Sequence, residues 1–459
     1  MPIIKPIFNN AARVAKNLLQ REKPLPDALL SAYIRNLLIK RKAFLSSASR
    51  FGTPQYILDE PALAEQIRRF SQTAEAAFDR FRIYYAVKSN NCPAIVQRVV
   101  NDGLGLDVSS GVELMTALAT GCSNIIFSGP AKTCDELALA VRHHDAVTVL
   151  ADSMRELHRI AETVSRLESP KAPLRVGIRI RSSCQGIWTK FGIDLQELPK
   201  CLAHWSASRQ LKISGIQFHT SWNLDPTAQT RVLNEIGRCL SAVPKHLSGT
   251  IEFLDIGGGY WPETGEWLNA ENTLIGQLIR LLLPGWQFRP RHFYRKAAPL
   301  LFFMNHIAHT IRKLPSPLSN AEIRLEPGRW ISTPSMHILL QVIDLKPGRN
   351  AVTDGGTNIL GWERPLSEFI PVINLTRPSC IEQPMYIFGS LCTPHDIWAM
   401  SVFGESAEPG DILLVPDQGA YTYSLRQSFI KPIPGVIRFD GRNLEKIEDQ
   451  FPPPVKPYH

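Results

Sequence analysis

The stretch Arg82-Ile83-Tyr84-Tyr85-Ala86-Val87-Lys88-Ser89-Asn90 decides the architecture of this chain. Its apolar and aromatic run stops at a lysine, and a helix-length segment follows at 93–101. That is one strand–helix unit. Working outward, further strands are expected at 104–109, 124–128, 146–151, 174–180, 213–220, 251–256 and 322–326, with helices such as 111–119 and 153–167 between them. Near-continuous β-branched strands alternating with helices read as a parallel sheet buried on both faces. Eight such strands fit an α/β chain folded as a (β/α)8 barrel over 52–330. A doubly wound open sheet is the competing architecture.

Downstream of residue 330 helical periodicity fades. Short strands recur at 337–345, 384–388, 411–416 and 435–439, so 331–459 is expected to be a C-terminal β-domain. The Pro-rich tail around 452–457 is expected to be loose. Upstream, residues 1–51 show helix-like spacing (Leu29, Leu30, Tyr33, Leu37, Leu38) after Pro24 and Pro26. They are expected to form a basic helical extension.

Of 459 residues, 44% are hydrophobic and 20% charged, which supplies a core and excludes wholesale disorder. The formal charge is +9, but residues 1–50 hold ten basic and two acidic side chains, leaving +1 for the remainder. A nearly neutral body argues against a general nucleic-acid binder. The arm is expected to be a solvated or packed face, with RNA, lipid or an acidic partner as the competing uses. No apolar run is long enough to span a membrane: 300–311 is interrupted by Asn305, His306 and His309. Eight cysteines without a C-x-x-C pair suggest neither a disulfide scaffold nor a zinc site, and a reducing, cytoplasmic setting is expected. No metal ligand set is read; His143-His144 and His306/His309 look like surface or packing residues.

Polar residues collect at the carboxyl ends of the expected strands: Lys88, Asp107, Arg179, His219, Asp255 before Gly257-Gly258-Gly259, and Glu326-Pro327-Gly328-Arg329. A barrel brings those ends to one face, where active sites are built. A desolvated Lys88 amine is a usable nucleophile toward an aldehyde cofactor, although a lysine can also simply snorkel at a barrel rim. The triple glycine frees successive N–H groups to close round a phosphate, or forms a plain tight turn. Glu326 beside a heteroaromatic ring would keep its nitrogen protonated and make the ring an electron sink. His219 offers a flat ring for stacking, or an ordinary core histidine. Asp107 and Arg179 complete the candidate cofactor-binding set. In the β-domain, Cys392 lies in Gly389-Ser390-Leu391-Cys392-Thr393-Pro394-His395-Asp396. It is structural, or reactive with His395 and Asp396 beside it, though no oxyanion-hole signature accompanies it. A turn at 417–421 presents Tyr421, whose hydroxyl can reach a phosphate oxygen.

Taken in order, Tyr85-Ala86-Val87-Lys88, Lys190-Phe191-Gly192, the triple glycine, Glu326-Pro327-Gly328-Arg329, Cys392 with Asp396, and Gly419-Ala420-Tyr421 resemble the fold-type III pyridoxal-phosphate decarboxylases. That group includes the diaminopimelate, ornithine and arginine decarboxylases, and the resemblance covers about 52–440. It implies an alanine-racemase-like barrel plus β-domain, a homodimer with shared sites, pyridoxal 5'-phosphate as cofactor and a small amino acid as substrate. It implies Lys88 as the Schiff-base lysine, His219 as the stacking histidine, Gly257–Gly259 as the phosphate loop and Glu326 as the partner of the ring nitrogen. It further implies Arg329 and Arg364 as carboxylate- or phosphate-binding arginines, Tyr421 beside the phosphate, and Cys392 as the acid that reprotonates the α-carbon.

Three departures are informative. Thr220-Ser221-Trp222 replaces a small-Gly-Ser continuation, Thr393 stands where an acid usually follows the cysteine, and Glu368 replaces an aromatic residue. Thr393, Glu368 and Asp396 therefore join Arg329 and Arg364 as candidate substrate-binding residues. A modified or conjugated amino acid, as in siderophore or antibiotic pathways, becomes a candidate substrate beside diaminopimelate. The competing activities are a racemase on the same fold, which Glu326 argues against, and a non-catalytic regulatory relative.

Overall fold

The computed structural model describes residues 22–185, 189–270, 282, 292–361 and 368–453. They divide into two compact units, one from 67–263 with 297–330, the other from 22–66, the described parts of 264–296, and 331–453.

The first unit is a closed barrel. Its strands are β1 (Phe81–Ala86), β2 (Gly105–Val108), β3 (Ile125–Phe127), β4 (Val147–Ala151), β5 (Leu174–Arg181), β6 (Leu211–Gln217), β7 (Phe253–Asp255) and β8 (Glu322–Leu325). Each pairs in parallel with the next, and β8 returns to β1. That last pairing rules out the open sheet and confirms the (β/α)8 expectation. The helices α1 (Gly111–Ala119), α2 (Cys134–Arg142) and α3 (Met154–Leu167) are started by Ser110, Thr133 and Ser153. Each cap accepts the N–H of a glutamate three residues on. Such caps satisfy otherwise orphaned amides and set where each loop leaves its strand.

Phe253 fills much of the barrel interior, packed with Tyr84, Ile126 and Leu150. Gly215 makes room for it, since a Cβ there would lie 2.1 Å from the Phe253 ring. Gly215→Ala is therefore expected to cost about 1–3 kcal/mol by overpacking. A thermal melt reads this directly, and an unchanged melting temperature would contradict the packing argument.

The second unit is built on a ring of six strands: β9 (Met336–Lys346), β10 (Asn350–Thr353), β11 (Ile373–Asn374), β12 (Glu382–Phe388), β13 (Ile397–Phe403) and β14 (Ile412–Val415). The ring runs β9–β10–β12–β13–β11–β14 and back to β9. The strand Gln55–Asp59 pairs antiparallel with β9 and parallel with β15 (Val436–Phe439).

The three-part division read from the sequence is thus redrawn. Helices Asp27–Leu38 and Arg41–Phe51 are not an appendage, because Leu30, Ile34, Phe44 and Ala48 are buried with Ile57, Leu339 and Phe439. Polar side chains of this segment find partners within the same unit. Lys40 pairs with the buried Asp59, Arg41 donates to the Thr376 carbonyl (3.1 Å), and Tyr33 donates to Asp417 (2.8 Å). Charge along a linear sequence does not reveal such partners, two of which lie more than 300 residues away. Likewise Glu266–Asn269 and His292–Arg295 form a small sheet with Lys23–Pro24 in this unit. Residues 1–21 and the tail from 454 lie outside the described residues.

Candidate active site

Strand β1 stops at Ala86, two residues earlier than expected, and Lys88 stands on the turn Val87–Ser89. The Ser89 hydroxyl donates to the Ala86 carbonyl (2.7 Å) and the Tyr85 hydroxyl to the Asn90 carbonyl (3.0 Å), which holds the turn. Lys88 Nζ lies 2.8 Å from Oδ2 of Asp107 on β2; the lysine side chain is 35% exposed and the aspartate fully buried. The amine is therefore reachable while its counter-ion is not. Ser128, just past β3, donates to the other Asp107 oxygen.

Glu326 follows β8 directly and is buried. Its Oε1 accepts from Gln217 Nε2 (3.3 Å), and its Oε2 lies 3.7 Å from Nδ1 of His219. Burial pushes its carboxyl up, but His219, Lys88 and Arg179 outweigh that and hold it below the ordinary value. Glu326 is thus the member of a carboxylate trio that gives up its proton most readily. Asp255 at the end of β7 is pushed well up by burial and by the charge of Glu326. Burial, then Glu326, push Asp107 up to about 6, against Lys88 and Ser128. Carboxylates sharing one low-dielectric mouth raise one another's hold on a proton.

This separation has a consequence for stability. The folded state holds the Asp107 proton more tightly than the ordinary value of 3.8 allows, so stability falls as pH rises from there to about 6. In Asp107→Asn that descending component is expected to vanish. Melting curves of the two proteins across that window check it, and parallel slopes would refute the shift.

Gly257 and Gly259 have φ of +67° and +81°. A Cβ on Gly258 would lie 2.2 Å from the Glu326 carbonyl oxygen, and one on Gly259 2.1 Å from that of Thr220. The loop therefore needs glycine for close approach as well as for conformation. It is held by Asp255 Oδ1 accepting from Gly257 N–H (2.9 Å), Gln229 donating to the Ile256 carbonyl (3.1 Å) and Asn223 N–H donating to the Gly259 carbonyl (2.9 Å). Gly258 N–H donates to Nδ1 of His219 (3.2 Å). Burial lowers the affinity of that ring for a proton, and Glu326 opposes it. Arg179 on β5 lies over the Phe191 ring (4.3 Å) and 3.8 Å from Asp152. Arg329 lies over the Trp261 ring (4.8 Å).

The barrel mouth thus brings Lys88, Asp107, Arg179, His219, Gly257–Gly259, Glu326 and Arg329 into one unit. A reachable amine, a glycine cradle and an ionised buried carboxylate fit a phosphorylated pyridine aldehyde. Serine, glutamine and asparagine partners (Ser128, Gln217, Asn223, Gln229) were missed. Only Gln217, two residues before His219 within the strand expected at 213–220, carried a signal, because alternate residues of a strand share a face.

The remaining candidates lie in the second unit. Cys392 is exposed. Asp396 is turned inward: Oδ1 accepts from Thr357 N–H (2.7 Å) and hydroxyl (2.8 Å), and Oδ2 from Leu391 N–H (2.6 Å). Its carboxylate organises the cysteine loop. Thr393 Oγ1 accepts from His395 N–H (3.4 Å). Glu368 forms an isolated antiparallel bridge with Leu268. Tyr421 sits at φ +56° after Gly419-Ala420. Arg364 lies outside the described residues.

The family model "Pyridoxal-dependent decarboxylase, pyridoxal binding domain" matches residues 64–284. The diaminopimelate decarboxylase of Methanothermobacter thermautotrophicus is 26% identical over 411 residues, 86% of this chain and 88% of its own length. Protein TabA of Pseudomonas amygdali pv. tabaci is 26% identical over 429 residues, 88% of this chain and 91% of its own. Among solved structures, Helicobacter pylori diaminopimelate decarboxylase complexed with L-lysine superposes with a TM-score of 0.71. Its sequence identity is 21%, covering 89% of this chain and 96% of that one.

Proposed function

Because the chain belongs to the fold-type III pyridoxal-phosphate-dependent amino-acid decarboxylases, we propose that Lys88 takes the cofactor aldehyde and that the substrate is a modified or conjugated amino acid. The observation that carries the site is the joint placement of the Lys88–Asp107 pair, the glycine cradle and the ionised Glu326 at one barrel mouth. When bound, pyridoxal phosphate supplies an electron sink conjugated to the substrate α-carbon. The chain's own residues do the rest. The Gly257–Gly259 loop would hold the phosphate, Glu326 would keep a proton on the ring nitrogen, and His219 would offer its ring to the cofactor. Arg179 would offset the carboxylates around them, Arg329, Arg364 and Tyr421 would hold phosphate or carboxylate groups, and Cys392 of the partner subunit would return the proton to the α-carbon. This reading makes the working enzyme a cytoplasmic homodimer; among the described residues no helix is long and apolar enough to cross a membrane.

The substrate reading rests on the 389–396 loop. Its one carboxylate is Asp396, whose oxygens are occupied by the loop and by Thr357, while Thr393 is neutral. The loop offers no free acid to a distal ammonium. Diaminopimelate is the second reading, favoured by the names of the relatives. Release of CO2 from diaminopimelate, ornithine, lysine, arginine and carboxylate-bearing conjugates of short diamino acids tests this. At least tenfold higher kcat/KM on a conjugate is expected; diaminopimelate as the best substrate overturns the substrate reading and leaves the decarboxylase standing.

A further inference from the structure

One buried cation stands outside the machinery described so far. Lys132 follows β3 in Ser128-Gly129-Pro130-Ala131-Lys132-Thr133, and its side chain is 0% exposed. A buried ammonium is costly unless every proton on it finds an acceptor. Here Nζ donates to the Gly129 carbonyl (2.5 Å), the Leu150 carbonyl (2.8 Å) and Oε2 of Glu156 (3.2 Å), itself only 2% exposed. Burial pulls the Lys132 ammonium down and Glu156 opposes it. Arg159 also faces the pair, 3.5 Å from Glu156 Oε1.

The three acceptors are placed to matter. Gly129 adjoins Ser128, the residue whose hydroxyl holds Asp107, the partner of Lys88. Leu150 lies near the end of β4. Glu156 Oε2 also accepts the N–H of Asp152 (2.7 Å), and Asp152 receives Gly192 N–H (3.1 Å) and faces Arg179 at 3.8 Å. One ammonium therefore ties together the carboxyl ends of β3 and β4. It stands one residue from Ser128's link to Asp107 and one bridging carboxylate from the backbone of Asp152.

We propose that Lys132 is a positioning residue for the cofactor site. With Glu156 it fixes Ser128 and Asp152, and through them the Lys88–Asp107 pair and the Arg179 guanidinium. Lys132 touches no reacting atom, and a purely structural ion pair is the competing account. The two differ in what a neutral replacement does. Exchanging a buried ion pair for neutral groups of similar size often leaves stability unchanged or raised, whereas a mispositioned Asp107 and Arg179 must show in the cofactor.

The proposal rests on the cofactor reading above, so the unmodified chain is the control: failure to take up pyridoxal phosphate would sink that reading, not this one. In Lys132→Met/Glu156→Gln the glutamine still accepts the Asp152 N–H. This pair is expected to melt near the unmodified chain but to bind pyridoxal phosphate at least tenfold more weakly by absorbance titration. Adding Ser128→Ala is expected to weaken binding less in that background than in the unmodified chain, because the two lie on one route. Unchanged affinity in the folded pair, or strict additivity with Ser128→Ala, overturns the proposal. Should the pair fail to fold, Glu156→Gln alone must weaken binding in the same direction, and unchanged affinity there refutes it.

Discussion

Lys88→Ala is expected to bind no pyridoxal phosphate as an amine-linked chromophore and to lose decarboxylation by roughly 10^4-fold or more, the scale seen when a covalent catalytic group is deleted. The reason lies in how Lys88 is held. Its amine is reachable, but the counter-ion 2.8 Å away is fully buried and shared with Ser128. Removing the amine leaves Asp107 without its cation in a low-dielectric mouth, where it takes up a proton more readily still. The fold should tolerate the change, because Lys88 stands on a turn beyond β1 and the turn's own hydrogen bonds come from Ser89 and Tyr85. Absorbance of the protein mixed with the cofactor, with CO2 release beside it, checks the prediction. Retained turnover in a chain that melts normally would show that Lys88 is not the group that takes the aldehyde.

Glu326→Gln is the second. The substitution keeps size and the Gln217 contact and removes only charge, so stability should change little while turnover falls by about 10^2–10^3-fold, the cost typical of one lost electrostatic group. It carries a second signature. Glu326 raises both Asp107 and Asp255, so without it Asp107 should ionise below about 6, and the stability descent described above should move to lower pH. A variant that loses activity without moving that descent would place Glu326 outside the carboxylate trio. A variant that keeps activity would remove the argument against a racemase, since proton retention on the ring nitrogen would then be unnecessary.

The eight barrel strands were legible because each pairs an apolar run with a helix-length partner, and period decides that locally. The second unit was harder. β11 is two residues long and β13 follows the cysteine loop directly, so neither has a local pattern that separates it from a loop. The strand Gln55–Asp59 reads as the start of the barrel by position, yet pairs with β9 nearly 280 residues later. Within the site, Lys88, His219, the glycines and Glu326 were visible because chemistry-bearing residues stood at strand ends. Ser128 and Asp152 stood at strand ends too, but serine and aspartate there usually begin helices. The inward turn of Asp396 was not legible because proximity to Cys392 in sequence does not tell whether a carboxylate faces solvent or its own loop.

What the sequence by itself determined is the barrel, its order and the face on which its charged residues meet, since strand period and strand ends are local properties. What only the tertiary structure decided is how tightly each of those carboxyl groups holds its proton. Asp107, Asp255 and Glu326 look alike in sequence; burial in one mouth, with Lys88, Arg179 and His219 unevenly distributed around them, leaves Glu326 ionised and raises the other two. Electrostatic energy depends on distance and solvent access, and neither is written in the order of residues.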